Sequence, residues 1–350
     1  MTCKVVHVVG ARPNFVKMAP VYKALKDLNV TQKIIHSGQH YDSKMSGTFF
    51  EDLKIPKPDF NLEVMSGTHA QQTGKVLVGI ETCLLKVNPK IVIVYGDVNT
   101  TLAAAISAKK LNLIVAHVES GLRSFDVRMP EEQNRMMVDA ISDILFVTEK
   151  SGIDNLKHSN HYGKIFHVGN TMIDSLASVI DTNAKKLDHC VVTFHRPSNV
   201  DTRQHLEKVV NLVESLPCKT IWPVHPRTKK SLIDCGFYDR VKSNSHIFLK
   251  DPKPYIEFVN LVNTSRFIIT DSGGIQEEAV FMKIPCITYR SSTERPSTIE
   301  SGSNVLLMKL DAIKSKVHDI ISDNQKEIIV PDLWDGHAAK RIAKILQNYF

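Results

Sequence analysis

The chain has 350 residues, 43% hydrophobic and 23% charged, with a formal net charge of +7. At roughly 100–200 residues per domain two domains are expected, and this composition excludes disordered, collagen-like and disulfide-stapled chains. No apolar run approaches the ~18 residues of a membrane span, Lys and Arg form no block, and aromatics are scarce; neither membrane nor nucleic acid is an expected partner, and the mild positive excess suits an anionic small molecule.

The N-terminal MTCKVVHVVG enters a strand-like run at once and has no small-residue cleavage site, which predicts a cytoplasmic protein. That run, Lys4–Val9, is nearly all apolar, as a buried parallel strand should be. GARPNFVK follows it. Gly10 allows a tight turn, and Arg12 and Lys17 stand near a helix N-terminus, which suits either an anion site or a capped helix with exposed bases. The motif is not G-x-G-x-x-G, and no acid closes the second strand, Lys33–His36, so a nicotinamide dinucleotide is not expected. The intervening helix places Met18, Val21, Leu25 and Leu28 on one face.

The strand Ile91–Tyr95 ends in GDVNTT, with Asp97 just beyond it, and an Ala-rich helix runs from Thr100 through Ala108. Ile114–His117 is followed by Glu119, GLRSFD and MPEEQNR, which carries Glu131, Glu132 and Arg135; Ile144–Val147 is the next strand. Asp97 and Glu119 each read either as helix caps or as part of a converging group of acids. Capping explains one acid better than three, and clustered carboxylates raise one another's pKa, which suits acid–base work. This βαβ rhythm predicts a doubly wound parallel sheet.

The rhythm pauses over the polar stretch 181–189 and restarts with Val191–Phe194, Thr220–Pro223, Ser245–Leu249, Phe267–Thr270 and Ile284–Thr288. Domains at 1–180 and 181–335 are expected, with a last amphipathic helix at 336–350 packing back toward the first domain. His195 and Arg196 follow the first of these strands, and His225 and Arg227 the second. DSGGIQEEA follows the fourth. Ser272, Gly273 and Gly274 open a helix whose N–H groups suit a phosphate, and an acid one and a half turns on, at Glu277 or Glu278, can bond a ribose diol; the bland alternative is a Gly-tightened loop before an exposed acidic helix. SSTERPS adds Arg295 as a candidate for diphosphate charge. The six scattered cysteines form no C-x-x-C pair and no histidine spacing matches a metal site, so reduced thiols and no metal are expected. Two such halves bind ligands where strand carboxyl ends face a cleft.

GARPNFVKMAP, YGDVNTT, HVESGLRSFD, MPEEQNR, VGNTMID, TFHRPSN, PVHPR, DSGGIQEEA and STERP occur in this order, and together they resemble the non-hydrolysing UDP-N-acetylglucosamine 2-epimerases. The resemblance runs from Val9 to about Arg295. It implies α/β architecture of GT-B type, two Rossmann-like doubly wound domains facing a central cleft, in a homodimer that acts on a UDP-sugar without nicotinamide, metal or other cofactor. It assigns Asp97, Glu119 and Glu131 as catalytic acids, His195 as the catalytic histidine, and Arg12 and Lys17 as bases facing the substrate. Ser272, Gly273, Gly274, Glu278 and Arg295 match UDP-binding positions, with Glu278 on the ribose; Arg135 and His225 lie in family motifs. The implied chemistry is elimination of UDP across carbons 1 and 2, giving a 2-acetamidoglucal, then re-addition after protonation from the other face.

Two departures stand out. Asn14 replaces the Glu of familiar bacterial members. Tyr41–Asp42, after Gln39–His40, and the segment MSGTHAQQTG lack the polar and basic pattern of members that bind a second substrate molecule as activator, so such activation is not implied here. Relatives that epimerise 6-deoxy L-amino sugars differ after the first catalytic Glu, where GLRSFD looks like the N-acetylglucosamine type. A hydrolysing epimerase and a GT-B glycosyltransferase or binder are the alternatives. The transferase has no use for three N-terminal acids, and fold alone does not fix function.

Overall fold

Apolar runs four to seven residues long become strands covered on both faces, as parallel sheets require. A computed structural model describes residues 3–38, 53–65, 67–324 and 327–350. The chain divides into one unit of Met1–Ser178 with Asp332–Phe350 and a second of Val179–Pro331. It thus leaves the first unit two residues, and returns four residues, before the expected limits. Gln39–Asp42 lie outside the described residues.

The first unit holds a seven-stranded sheet ordered β3-β2-β1-β4-β5-β6-β7. Its strands are β1 (Val5–Val9), β2 (Gln32–His36), β3 (Phe60–Asn61), β4 (Ile91–Tyr95), β5 (Ile114–Ser120), β6 (Ile144–Val147) and β7 (Lys164–His167), all paired in parallel. In β1 the valines are buried, and the one polar residue, His7, is satisfied. Its Nε2 donates to Gln32 Oε1 at 2.8 Å, and its Nδ1 accepts from Tyr95 Oη at 2.7 Å. Burial pushes its pKa down to about 4, so it stays neutral.

Helix α1 (Arg12–Asp27) buries Met18, Val21 and Leu25, whereas Leu28, expected on the same face, caps its end and is exposed. Helix α2 (Asn99–Lys110) buries Ala103, Ala104, Ala105 and Ala108, and packs on the helix His69–Val87. Gly10 has no room for a side chain, since a Cβ there would stand 2.1 Å from Thr100 Oγ1. Helix α3 (Pro130–Ile141) turns an unusually polar face inward. The last helix, Ala338–Leu346, packs on α1 and on the helix Thr171–Ala177. Asp174 anchors it, accepting the N–H groups of Ala338 at 3.0 Å and Ala339 at 2.7 Å.

The second unit holds a six-stranded sheet ordered β10-β9-β8-β11-β12-β13. The strands are β8 (Cys190–Thr193), β9 (Thr220–Pro223), β10 (Ile247–Lys250), β11 (Ile268–Thr270), β12 (Cys286–Thr288) and β13 (Asn304–Leu306), again all parallel. Phe194 meets Trp222 edge-on at 6.3 Å in its core. Strand order reverses at β1/β4 in one unit and at β8/β11 in the other, the switch points where such sheets place ligands. Among the described residues no helix is long and apolar enough to cross a membrane.

Candidate active site

In the first unit the polar residues gather at the carboxyl ends of β1, β4 and β5. Glu119 is not a helix cap. It sits at a register shift in β5, between Val118 and Ser120, with φ of 74°. A bulge of this kind re-aims a side chain at a sheet rim, and a left-handed Glu is held only by its surroundings. Its carboxylate is 2% exposed and meets Lys17 Nζ of α1 at 2.5 Å. Asp97, half-buried beyond β4, is also no cap; Val98 takes that place for α2, and the Asp97 carboxylate pairs with Arg135 Nη2. Arg135 Nη1 holds Glu132 at 2.5 Å. Glu132 in turn accepts the Ser124 N–H at 2.8 Å, the Ser124 hydroxyl at 3.0 Å and the Phe125 N–H at 3.2 Å. Of the adjacent pair in MPEEQNR, then, Glu132 is the buried anchor and Glu131 is exposed in the first turn of α3. Glu132, Arg135 and Asp139 lie at i, i+3 and i+7 with buried Val138 among them, and that helical spacing was the signal in the sequence that could have found Asp139 and the anchoring role of Glu132. Arg12 is exposed at the start of α1.

Asn14 explains its own departure from the bacterial pattern. Its Oδ1 accepts the N–H groups of Gly10 at 3.1 Å and Ala11 at 3.0 Å, while its Nδ2 donates to Tyr95 O at 2.8 Å. The amide closes the start of α1 onto the end of β4, a job that needs both a donor and an acceptor.

In the second unit His195 follows β8 and is half-exposed, with Nδ1 3.1 Å from Asp271 Oδ1. Asp271 is fully buried and also accepts the N–H of His195 at 3.2 Å, that of Arg196 at 2.9 Å and Asn199 Nδ2 at 2.9 Å. Burial pushes the Asp271 carboxyl up, but His195 and these donors outweigh it and hold it below the usual range. An ionised carboxylate only accepts, so His195 Nδ1 carries a proton and Nε2 is the nitrogen turned to chemistry. His225 lies beside it, ring centroids 5.6 Å apart, and its Nδ1 accepts the Arg227 N–H at 3.2 Å.

Helix α4 (Gly273–Phe281) starts after Ser272, and both of its carboxylates are buried rather than exposed. Glu278 accepts from Tyr255 Oη at 3.1 Å. Glu277 pairs with Arg295 Nε at 2.9 Å, and Arg295 Nη1 also pairs with Glu294, which Arg290 holds at 3.0 Å. Burial pushes Glu294 up, yet Arg295 and Arg290 hold its carboxyl far below the carboxylate range. A Cβ on Gly273 would come within 2.9 Å of Arg295 Nη1, so this pair network lies directly against the start of α4; Gly274 is in its first turn. Asp271, Tyr255, Arg290 and Glu294 are the supports that motif reading missed, while Glu277, read beside Glu278 as a ribose candidate, is spent on Arg295. Among the described residues no group of three or more His, Cys, Asp or Glu could hold a metal ion.

Two doubly wound parallel units, with paired carboxylates at the strand ends of one and a Gly-opened helix at those of the other, define an α/β enzyme of the GT-B-like class. A family model described as UDP-N-acetylglucosamine 2-epimerase matches residues 23–347. A Methanococcus maripaludis protein, a UDP-N-acetylglucosamine 2-epimerase homolog, is 40% identical over 359 residues, covering 99% of each chain. The crystal structure of Methanocaldococcus jannaschii UDP-GlcNAc 2-epimerase, in complex with UDP-GlcNAc and UDP, is 40% identical, covers 99% of each chain and superposes with a TM-score of 0.89. A Pseudomonas aeruginosa UDP-2,3-diacetamido-2,3-dideoxy-D-glucuronate 2-epimerase is 37% identical, covering 98% of this chain and 99% of its own. The chain belongs to the UDP-N-acetylglucosamine 2-epimerase family.

Proposed function

We propose that the protein interconverts UDP-N-acetylglucosamine and UDP-N-acetylmannosamine by inverting carbon 2, without hydrolysis. The observation that carries this is the pair of strand-end carboxylates, Asp97 and Glu119, paired with Arg135 and Lys17 respectively, in a chain so similar to a relative solved with UDP-GlcNAc and UDP. The carbon 2 proton is weakly acidic. Elimination makes its removal feasible: a carboxylate takes the proton, the C1–O bond breaks with its electron pair leaving on UDP, and a C1=C2 double bond forms. In the return step an acid protonates carbon 2 from the other face and the UDP oxygen re-forms the bond to carbon 1. No oxidation state changes over the cycle, so no redox cofactor is called for.

The residues divide by what each half-reaction needs. Asp97, Glu119 and Glu131 supply the base and the acid. Lys17 and Arg135 hold Glu119 and Asp97 in place through their ion pairs. Ser272, Gly273 and Gly274 offer the N–H groups of the α4 N-terminus to the diphosphate, Glu278 takes the ribose diol, and His195 with Arg12, Arg295 and His225 stabilises the departing charge.

Chromatography of the reaction mixture tests this reading. UDP-N-acetylmannosamine should form from UDP-N-acetylglucosamine, unaffected by a chelator. Free N-acetylmannosamine with UDP would instead establish hydrolysis. The Pseudomonas relative supports a second reading, the same carbon 2 inversion on a UDP-linked 2,3-diacetamido uronate. Relative kcat/KM on the two sugars decides between them, since a site built to bond one polar group discriminates by ~10⁴-fold.

A homodimer acting in the cytoplasm completes the proposal. Val78 and Leu85, two turns apart on the helix His69–Val87, are 61% and 65% exposed and are the apolar side chains this helix offers to a second copy. Light scattering should give twice the 39.3 kDa chain mass.

A further inference from the structure

The carboxyl-end turns of β4 and β5, which carry Asp97 and Glu119, are joined beneath by a second buried group. His117 of β5 is fully buried. Its Nε2 lies 2.8 Å from the carbonyl of Gly96, the residue before Asp97, and its Nδ1 lies 2.8 Å from Asp139 Oδ1 on α3. Gly96 has φ of +65°, a turn that glycine makes at least cost, and its N–H donates to Val118 O at 3.0 Å. Strand β5 therefore grips both ends of the Gly96 residue. The other oxygen of Asp139 accepts the Gly121 N–H at 3.1 Å and Arg123 Nη1 at 2.6 Å. Gly121 is two residues beyond the left-handed Glu119. Asp139 is also one helical turn from Arg135, whose guanidinium holds Asp97.

Both ring nitrogens of His117 are taken up, one by a carbonyl and one by a carboxylate. Such a ring cannot serve as a base without breaking one of its two bonds, and it meets none of the acids directly. Its contacts are with the backbone that aims Asp97 and with the side chain that ties down the turn after Glu119. We infer that His117 is a positioning residue for the carboxylates of this site, acting on Asp97 through the Gly96 carbonyl and on the Glu119 turn through Asp139.

The inference rests on the epimerase reading only for what the positioned acids do. Two substitutions separate the two arms of the ring. In His117→Gln the amide nitrogen falls near the place of Nε2 and can still donate to Gly96; in His117→Asn it falls near the place of Nδ1 and can reach only Asp139. A displacement of about 1 Å at a reacting group can cost ~10²-fold. The expected result is a kcat about 10²-fold lower in His117→Asn and at most about tenfold lower in His117→Gln, with KM and the calorimetric Kd for UDP within about threefold of wild type in both. Equal losses of kcat in the two variants would support both arms; wild-type kcat in both, or a loss carried by KM or by UDP affinity, would overturn it.

Circular dichroism and thermal melts establish folding first. If neither variant folds, Asp139→Asn, which keeps volume and an acceptor for His117, takes their place. A kcat at least tenfold lower with unchanged UDP affinity supports the inference, and a wild-type kcat overturns it. A wild-type enzyme that does not turn over UDP-N-acetylglucosamine counts against the substrate and not against His117, whose ratios are then read on the UDP-sugar it does epimerise.

Discussion

Asp271→Asn isolates the role of the His195 support. Four donor contacts converge on this buried carboxylate: the N–H groups of His195 and Arg196, Asn199 Nδ2 and His195 Nδ1. The amide keeps one acceptor oxygen and turns an NH2 toward groups that themselves donate. A hydrogen bond to a charged group contributes ~1.5–3 kcal/mol. At 1.36 kcal/mol per tenfold, losing the one to the ring lowers by about 10- to 150-fold any step that needs His195 aligned and protonated at Nδ1. The ring's side chain is 41% exposed, so solvent screening places the effect toward the lower figure. The assay is a double-mutant cycle on kcat with His195→Ala, Asp271→Asn and the double variant. If Asp271 works through His195, adding Asp271→Asn to His195→Ala costs less than about threefold. An undiminished second loss in that background, with the fold intact by melting, would refute the linkage.

Other outcomes follow from the same geometry. Asp97→Asn and Glu119→Gln should each lose ~10²–10⁴-fold in turnover while UDP affinity by calorimetry holds, and Glu131→Gln should do so as well if its exposed carboxylate reaches substrate; near-normal rate in any one removes that residue from the chemistry. Glu278→Ala should weaken UDP binding by ~1.5–3 kcal/mol, and unchanged affinity would remove it from the pocket. Arg295→Ala leaves Glu277 and Glu294 buried without their shared cation, so a fall of ~3–5 kcal/mol in denaturant-measured stability is expected beside any loss of UDP. Asp139, Asp271 and Glu294 are held low in the folded chain, which therefore binds fewer protons than the unfolded chain; their stabilisation is full above the ordinary carboxylate range and is lost as pH falls below about 4. Denaturant titrations from pH 7 to pH 3 should show wild type losing more stability than Asp271→Asn, and parallel curves would contradict this.

Strands buried on both faces were legible because nearly every residue in them is apolar: β4, β6 and β9 run between the expected residues. The two-residue β3, the edge strand β7 with its exposed Lys164, and β13 with half-buried Val305 and Leu306 carry too little apolar signal to read. The candidate acids were legible because acids just beyond apolar strands are uncommon in a core. Their supports were not. Helical spacing sets Glu132, Arg135 and Asp139 on one face, but their other partners and those of Asp271 lie from 7 to 76 positions away in sequence, and Tyr255 reaches Glu278 across 23, so only the folded chain joins them. The left-handed bulge at Glu119 likewise belongs to β5–β6 pairing and leaves no local mark.

A proton NMR time course in heavy water, with UDP-N-acetylglucosamine and no added NAD or metal, tests the central claim most directly. Elimination and re-addition predict loss of the carbon 2 proton signal, with deuterium at that position in both gluco and manno products that remain UDP-linked. Epimerised product that retains its carbon 2 proton, or release of free N-acetylmannosamine, would contradict the account.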